Sequence, residues 1–237
     1  MSRGAACFRK TADLNDRNQT VPTTLESFRP STTRWARGGK RAFELLIALF
    51  GLVVLAPVML LTALAVKLTS RGPLLFAQTR VGKDGQEFRL CKFRSMRGGR
   101  TPDPEEIVPL SHPEITAVGR VIRRLKLDEW PQLVGVVRGE MSLVGPRPTL
   151  PDQVARYDEV QRRRLLVRPG LTGLAQVNGN TLIDWDERIR YDVYYVQHVG
   201  LGLDFGILCR TVAVLLLGDQ RFARPFHESP FARARES

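Results

Sequence analysis

The longest apolar run of the chain lies in its N-terminal third. The 22 residues from Leu45 to Val66 carry no charge and a single hydroxyl side chain, Thr62. A helix of this length reaches across a hydrocarbon core of about 30 Å. Pro57 stands in the middle of the run, where its ring removes a backbone hydrogen bond. We therefore expect a kink or break there, with two halves that are each too short to cross a membrane.

Basic residues flank this run on both sides. Residues 1–41 hold nine Lys and Arg against three acidic residues, and residues 67–100 hold nine against two. Lys and Arg favour the cytoplasmic side of a membrane, so a segment that obeys this rule at both ends enters and leaves by the same face, as a re-entrant hairpin. Long soluble domains translocate largely regardless of their charge, which leaves a bitopic helix as an open alternative. A cleaved signal peptide fits less well, because a long polar stretch precedes the run.

The remaining pattern predicts an α/β protein that is mostly helical and has a small β-hairpin. Two alternating stretches, 74–80 and 87–94, flank a glycine-containing turn and predict the hairpin. Apolar residues at helical spacing predict five helices. They cover residues 115–125, Glu129 to Arg138 with Asp128 as N-cap and Pro131 in the first turn, and residues 152–167, 187–196 and 204–217. The last of them is apolar enough to lie against a membrane surface.

These elements divide the chain into four parts. We expect a mobile polar tail at 1–39, the membrane segment at 40–67, a folded domain at 68–218 and a basic tail at 219–237.

The charge balance requires an anionic partner. The formal net charge is +12 and the pI is near 10.4, which is compatible with nucleic acid, anionic lipid or phosphorylated substrates. Aromatic residues are few and are not interleaved with the basic stretches as a base-stacking surface requires, so we expect no nucleic-acid partner. Cys7, Cys91 and Cys209 lie far apart without metal-binding spacing and are typical of reduced thiols.

One segment combines cations and carboxylates in a pattern that suits phosphate chemistry. Arg123, Arg124 and Lys126 immediately precede Asp128 and Glu129. The segment is compatible with an exposed helix end whose charges neutralise one another. It is also compatible with a phosphoryl-transfer site, in which the cations bind a diphosphate and the carboxylates hold Mg²⁺. Adjacent helical residues point about 100° apart, so the two carboxylates require different roles.

Several motifs in one order give this chain a family resemblance. They are Lys40-Arg41, Arg80-Val81-Gly82, Lys92-Phe93-Arg94-Ser95-Met96, Asp128-Glu129-x-Pro131-Gln132-Leu133, Met141 to Pro148 and Arg168 to Gly179. Together they resemble the bacterial sugar transferases, which are monotopic polyprenyl-phosphate phosphoglycosyl transferases, over about residues 40–217.

The resemblance implies a re-entrant membrane helix joined to a small catalytic domain on the cytoplasmic face of the bacterial inner membrane. By similarity, Asp128 attacks the β-phosphate of a UDP-sugar, forms a phosphosugar-aspartyl intermediate and releases UMP. Polyprenyl (undecaprenyl) phosphate then takes the sugar phosphate, which initiates exopolysaccharide or glycan synthesis. Glu129 either binds Mg²⁺ or deprotonates the acceptor, and Arg123 and Arg147 contact phosphate.

Two alternatives to this function remain. One is an enzyme of the same substrate class that uses a single displacement. The other is a bitopic anchor whose basic domain binds anionic lipid or nucleic acid.

Overall fold

The computed structural model describes residues 30–97, 108–109 and 111–233. Most of the predicted N-terminal tail, residues 98–107, residue 110 and the last four residues lie outside the described residues. The elements in chain order are α1 (Lys40–Thr69), β1 (Leu75–Val81), β2 (Glu87–Phe93), α2 (Ala117–Arg124), α3 (Leu133–Arg138), β3 (Ser142–Val144), α4 (Pro151–Ala155), α5 (Glu159–Arg162), β4 (Gly170–Thr172), α6 (Trp185–His198), α7 (Leu201–Leu217) and α8 (Pro230–Arg233). The protein is mostly helical with two small sheets and an apolar N-terminal helix, as the sequence predicts in outline.

Helix α1 is long and apolar enough to cross a membrane, and it is the one such helix within the described residues. Its 30 residues correspond to about 45 Å. Only 11% of its most apolar stretch is buried, unlike the core helix of a soluble protein. The exposed apolar side chains include a row at helical spacing along its whole length, at Leu46, Phe50, Val53, Leu60, Leu61, Leu64 and Leu68. They form a continuous apolar stripe.

The opposite face of α1 packs on the folded domain from one end to the other. Near its start, the Glu44 carboxylate accepts hydrogen bonds from the Ser142 hydroxyl (2.6 Å) and the Leu143 amide (3.0 Å). Near its end, the fully buried Val66 packs in a cluster with Phe93 and Ile122. The helix therefore lies along the domain instead of projecting from it.

The predicted break at Pro57 does not occur as an interruption, because α1 continues through this residue as a single helix. A proline deprives a helix of one amide donor. The packing of α1 against the domain on both sides of this position holds the remaining turns together. The predicted break is therefore wrong, whereas a kink within the continuous helix stays a prediction.

The predicted β-hairpin is confirmed. Strands β1 and β2 pair antiparallel over seven residues each, with Arg80 opposite Phe88 and Phe76 opposite Lys92. Directly opposed residues share a face, as do residues two apart along a strand. This register therefore places Arg80 and Lys92 on the same face of the hairpin.

A second, parallel sheet was not predicted. Ser142 in β3 pairs with Gly170 in β4, and Val144 pairs with Thr172. The two backbone segments approach so closely that a Cβ on Gly145 or Gly170 would collide with the opposite backbone. Each strand has three residues, too short for a periodicity to appear in the sequence.

Three of the predicted helices are confirmed, and two are wrong in their bounds. Helices α2, α6 and α7 lie within a few residues of the expected positions. The helix expected from Glu129 begins only at Leu133, because residues 127–132 form a 3-10 turn, and Asp128 lies inside that turn instead of capping a helix. The long helix expected at 152–167 is divided into α4, α5 and a 3-10 turn at Arg163–Leu166.

The described parts of both predicted tails pack on the domain. The Trp35 indole donates to Asp204 (2.7 Å) and the Ser31 hydroxyl donates to the Val199 carbonyl (2.7 Å). At the other end, Phe226 is buried against Tyr191. Their aromatic and hydroxyl side chains hold these segments on the domain. The overall polar composition of the tails does not predict such individual contacts.

Candidate functional site

The site is centred on Glu129, whose carboxylate is held by two cations. Its Oε1 lies 2.7 Å from the Lys92 ammonium and 3.3 Å from the Arg147 guanidinium. Burial alone would raise the pKa of Glu129, but Arg147 and Lys92 outweigh burial and hold the pKa well below its usual range. Glu129 is therefore a permanent anion that joins the hairpin to the loop after β3.

Asp128 has a contrasting environment. It is 8% exposed, and it has no ion pair within the part of the chain that the structure describes. Burial raises its pKa above the ordinary value, and the neighbouring Glu129 charge raises it further, against the opposing effect of Lys92, Arg123 and Lys126. Two adjacent carboxylates thus differ sharply in proton affinity.

The backbone reverses direction at Lys126, shortly before the two carboxylates. Lys126 adopts the left-handed conformation with a φ of 56°, and the chain therefore turns away from the axis of α2. The amides of Lys126 and Glu129 bond back to the preceding carbonyls of Arg123 (3.2 Å) and Lys126 (3.3 Å). The resulting 3-10 turn, not a helix N-terminus, presents the two carboxylates.

The loop that carries Arg147 is rigid. Prolines on both sides of Arg147 restrict its backbone. The carbonyls of residues 146, 147, 148 and 149 each accept a hydrogen bond, from the Gly170 amide (2.9 Å), the Arg164 guanidinium (2.9 Å), the Arg80 guanidinium (3.4 Å) and the Val81 amide (2.9 Å) respectively. The side chain of Arg147 is 46% exposed and extends from this fixed backbone towards Glu129.

The other predicted phosphate-binding residues lie at different distances from this centre. The Arg123 Nε donates to the Ser95 hydroxyl (2.8 Å), and burial lowers the pKa of Arg123 while Asp128 opposes that shift. Lys126 is exposed and lines the cleft described below. Arg124 is exposed and does not line that cleft.

Sequence reasoning missed two cations as site residues. Lys92 pairs with Glu129, and Arg80 lies close enough to Arg147 that burial and the Arg147 charge together lower the pKa of Arg80 to about 10. Both residues belonged to motifs that had been noted only as family likenesses. The sequence held one signal for such residues. A lysine or arginine in a strand whose neighbours are apolar, as in residues 87–93, indicates a partly buried cation that needs an anionic partner.

A cleft of about 330 Å³ lies beside the charged centre. Lys126, Glu129 and Arg147 line one part of it, and Leu55 of α1 together with Leu208 and Leu215 of α7 lines another. A single cavity therefore joins the charged centre to apolar side chains of α1 and α7.

The carboxylate pair fits Mg²⁺ in the way usual for phosphate-transferring sites, with one or two protein carboxylates and the remaining ligands from phosphate and water. Asp128 has no cationic partner within 4 Å in the described part of the chain, so its oxygens are available to a metal ion. The described residues contain no cluster of three or more acidic, histidine or cysteine ligands. An all-protein metal cage is therefore absent from that part of the chain.

The charges of the centre favour a polyanion. Five cations, Arg80, Lys92, Arg123, Lys126 and Arg147, lie around two carboxylates. Like charges held together in a partly buried site repel one another, and a diphosphate relieves that repulsion by charge-assisted hydrogen bonds. The arrangement can bind a phosphorylated substrate beside an ionisable carboxylate.

Comparison with known proteins gives one consistent result. Residues 35–218 match the bacterial sugar transferase family. The uncharacterized sugar transferase EpsL of Bacillus subtilis is 41% identical over 184 residues, which cover 76% of this chain and 88% of that protein. The exopolysaccharide production protein ExoY of Sinorhizobium fredii is 36% identical over 220 residues, which cover 85% of this chain and 97% of that protein.

A longer relative has a more specific name. The UDP-N-acetylgalactosamine-undecaprenyl-phosphate N-acetylgalactosaminephosphotransferase of Aeromonas hydrophila is 40% identical over 185 residues. These residues cover 76% of this chain but only 44% of that protein. This chain thus matches less than half of that relative.

Proposed function

The chain belongs to the bacterial sugar transferase family, and we propose that it transfers a sugar 1-phosphate from a UDP-sugar to polyprenyl phosphate through a covalent intermediate on Asp128. The product, a polyprenyl diphosphate sugar, is the starting unit for an exopolysaccharide or another glycan. The names of relatives that act on undecaprenyl phosphate support the acceptor class.

The contrast between the two carboxylates carries this proposal. Glu129 is neutralised by Lys92 and Arg147, which makes it a poor nucleophile and, with its pKa held low, a poor base. Asp128 has no such partner in the described part of the chain, and its raised pKa goes with a more basic, more nucleophilic carboxylate. Asp128 is therefore the nucleophile, and Glu129 orients the two cations that bind phosphate.

The proposed reaction has two displacements at the same phosphorus atom. An Asp128 oxygen bonds to the β-phosphorus, and the bond to the oxygen shared with the α-phosphate breaks, so that UMP leaves with that oxygen. An oxygen of the acceptor phosphate then bonds to the phosphorus, and the bond to Asp128 breaks. Each step exchanges one P–O bond for another, and Arg147 and Lys92 stabilise the phosphoryl oxygens.

Mg²⁺ is the proposed cofactor, with Asp128 and Glu129 as its protein ligands. When bound, the ion supplies charge neutralisation for the diphosphate. The described residues supply the rest: Arg123, Lys126 and Arg147 bind phosphate oxygens, and the rigid loop of residues 146–149 keeps Arg147 in place.

The acceptor lipid enters through the cleft between α1 and α7. Its phosphate reaches Lys126 and Arg147, and the first isoprene units lie against Leu55, Leu208 and Leu215. Apolar walls combined with a cationic end suit an anionic amphiphile.

Helix α1 is embedded in the inner membrane with both of its ends on the cytoplasmic side. The contacts that Glu44 and Val66 make with the same domain support this topology, since a bitopic helix would separate its two ends by the bilayer. In a variant without native cysteines, Arg37→Cys and Arg71→Cys flank the helix at exposed positions. Both thiols should react with an impermeant maleimide only in inside-out vesicles. Opposite accessibility would establish a bitopic helix.

The deciding experiment omits the acceptor. Purified enzyme is incubated with a radiolabelled UDP-sugar and Mg²⁺, and UMP release and the intact mass of the protein are recorded. The covalent route gives up to one equivalent of UMP and a sugar-phosphate adduct that maps to Asp128. A single displacement gives no UMP until polyprenyl phosphate is added.

A further inference from the structure

A buried ion pair lies directly behind the loop that carries Arg147. Arg164 Nη2 and Asp192 Oδ2 are 2.6 Å apart, and their side chains are 4% and 3% exposed. Asp192 belongs to α6, whereas Arg164 lies in the 3-10 turn that follows α5. Burial raises the pKa of Asp192 to about 6 even beside Arg164, so at neutral pH the carboxylate is ionised and the pair is charged.

Arg164 also donates hydrogen bonds to the loop after β3 and to Tyr157. Its Nη2 donates to the backbone carbonyl of Arg147 (2.9 Å), and its Nη1 donates to the Tyr157 hydroxyl (2.8 Å). The same hydroxyl bonds to Thr149 Oγ1 (2.6 Å). The guanidinium also lies against the rings of Tyr157 and Trp185, with centroid distances of 5.8 and 5.2 Å. One buried cation thus touches residue 147 directly and residue 149 through a single hydroxyl.

We propose that Arg164, held by Asp192, is a positioning residue that fixes the backbone of Arg147 so that its guanidinium meets the substrate phosphate. The inference rests on the proposed function, because it requires Arg147 to bind phosphate. Arg164 does not itself touch the substrate; it acts through Arg147.

Physical considerations favour this role over a purely stabilising one. A buried ion pair contributes little net stability compared with a well-packed apolar pair of similar volume. Its contribution is a fixed geometry, because a planar guanidinium can donate to a carbonyl, a hydroxyl and a carboxylate at defined angles. Arg147 needs such a fixed base, because its own side chain is long and 46% exposed, and any displacement of its backbone moves the guanidinium away from Glu129.

A double-mutant cycle tests the inference. Arg164→Lys keeps the charge but cannot make all three bonds at once. It is combined with Arg147→Ala, and kcat/KM for UMP release is measured for all four proteins. We expect Arg164→Lys to lower kcat/KM about tenfold when Arg147 is present, a change within the range for coupled neighbours. In the Arg147→Ala background the same substitution should change kcat/KM by less than about twofold.

Two further variants complete the experiment. Arg162→Lys is the matched control and should keep full activity, because Arg162 is an exposed residue of α5 whose Nε donates to the Tyr157 carbonyl (3.2 Å). If Arg164→Lys does not yield folded protein, Tyr157→Phe replaces it, since this change removes the hydroxyl shared by Arg164 and Thr149.

The outcomes separate the inference from the proposed function. Equal losses in both backgrounds would overturn the positioning role of Arg164 and leave the proposed function intact. Unchanged UMP release by Arg147→Ala alone would overturn the phosphate-binding role of Arg147 and, with it, the inference.

Discussion

Lys92 and Glu129 form an ion pair of 2.7 Å that joins strand β2 to the turn carrying both carboxylates. Asp128, the preceding residue in the chain, has no ion pair within the described residues. The hairpin thus acts on the two carboxylates unequally: it neutralises one and leaves the other to the effects of burial. This difference leads to separate expectations for the two acids and for Lys92.

Replacing Asp128 by asparagine should abolish transfer without harming the fold. The raised pKa of Asp128 means that its ionised form is disfavoured in the folded protein, so a neutral amide of the same shape should leave the melting temperature unchanged or higher. Activity and UMP release without acceptor should both disappear. Calorimetry in detergent checks the first expectation and product analysis the second; residual turnover near wild type would disprove the nucleophile assignment.

Replacing Lys92 by methionine should lower kcat/KM about a hundredfold, because Glu129 loses its closest partner and the phosphate loses a charge-assisted donor. Arg89→Met is the matched control, since Arg89 is exposed on the same strand and should tolerate the change. Steady-state kinetics with a soluble short-chain acceptor compares the two. Similar kinetics for both variants would contradict a role for Lys92 in the site.

The pH dependence should show an acid limb that belongs to Asp128. The carboxylate must be ionised to attack phosphorus, and its pKa is raised, so kcat/KM should fall at a higher pH than an ordinary aspartate permits. Glu129 contributes no limb in this range, because its pKa is held low.

A variant gives this pH profile its control. Lys92 lowers the pKa of Asp128, so Lys92→Met should move the acid limb to still higher pH. UMP release across a buffer series measures both profiles. A limb that does not move in the variant argues against Asp128 as its source.

About half of the architecture was accessible from the sequence. The hairpin, α2, α6 and α7 were predicted because each is long enough to show a periodicity or has a turn signal. The parallel pair β3–β4 was not, since three residues carry no pattern and their pairing joins segments that are 28 positions apart.

The site was accessible in part, for a similar reason. Asp128, Glu129 and the neighbouring basic residues form a contiguous segment that attracts attention. Lys92 and Arg80 belong to the two hairpin strands, far from this segment in the sequence. Only the register of the hairpin brings them to the same centre. Asp128 was misjudged as a helix cap because the left-handed backbone at Lys126 depends on tertiary packing, which no local preference for lysine predicts.

Truncating Glu44 to alanine should destabilise the protein. The substitution leaves the buried Leu143 and Val144 amides without their carboxylate acceptor, whereas Lys40 keeps its ion pair with Asp204. Two unsatisfied buried donors cost roughly 2–6 kcal/mol. A loss of this size lowers the melting temperature by roughly 4–24 °C in a protein of this length. Glu44→Gln keeps one acceptor oxygen and should show a smaller drop in thermal denaturation. Equal drops would show that the hydrogen bonds are unimportant.

Placing a charge in the cleft should separate the two half-reactions. Leu215→Asp puts an anion beside the proposed path of the isoprenoid, so the KM for the lipid acceptor should rise about tenfold or more, because a carboxylate in an apolar site is strongly disfavoured. UMP release without acceptor should stay near the wild-type level. Leu216→Asp, at an exposed position one residue along α7 outside the cleft, is the control. An unchanged acceptor KM in Leu215→Asp would rule out this path.

The extended contact between α1 and the domain makes the N-terminal helix a structural part of the enzyme. Without it, Leu143 and Val144 of β3, the strand that leads into the Arg147 loop, lose a carboxylate partner, and Phe93 and Ile122 lose an apolar cover. An unrelated membrane anchor fused at residue 70 would restore attachment to lipid but none of these contacts. Chimeras within the family should therefore exchange the helix and the domain together.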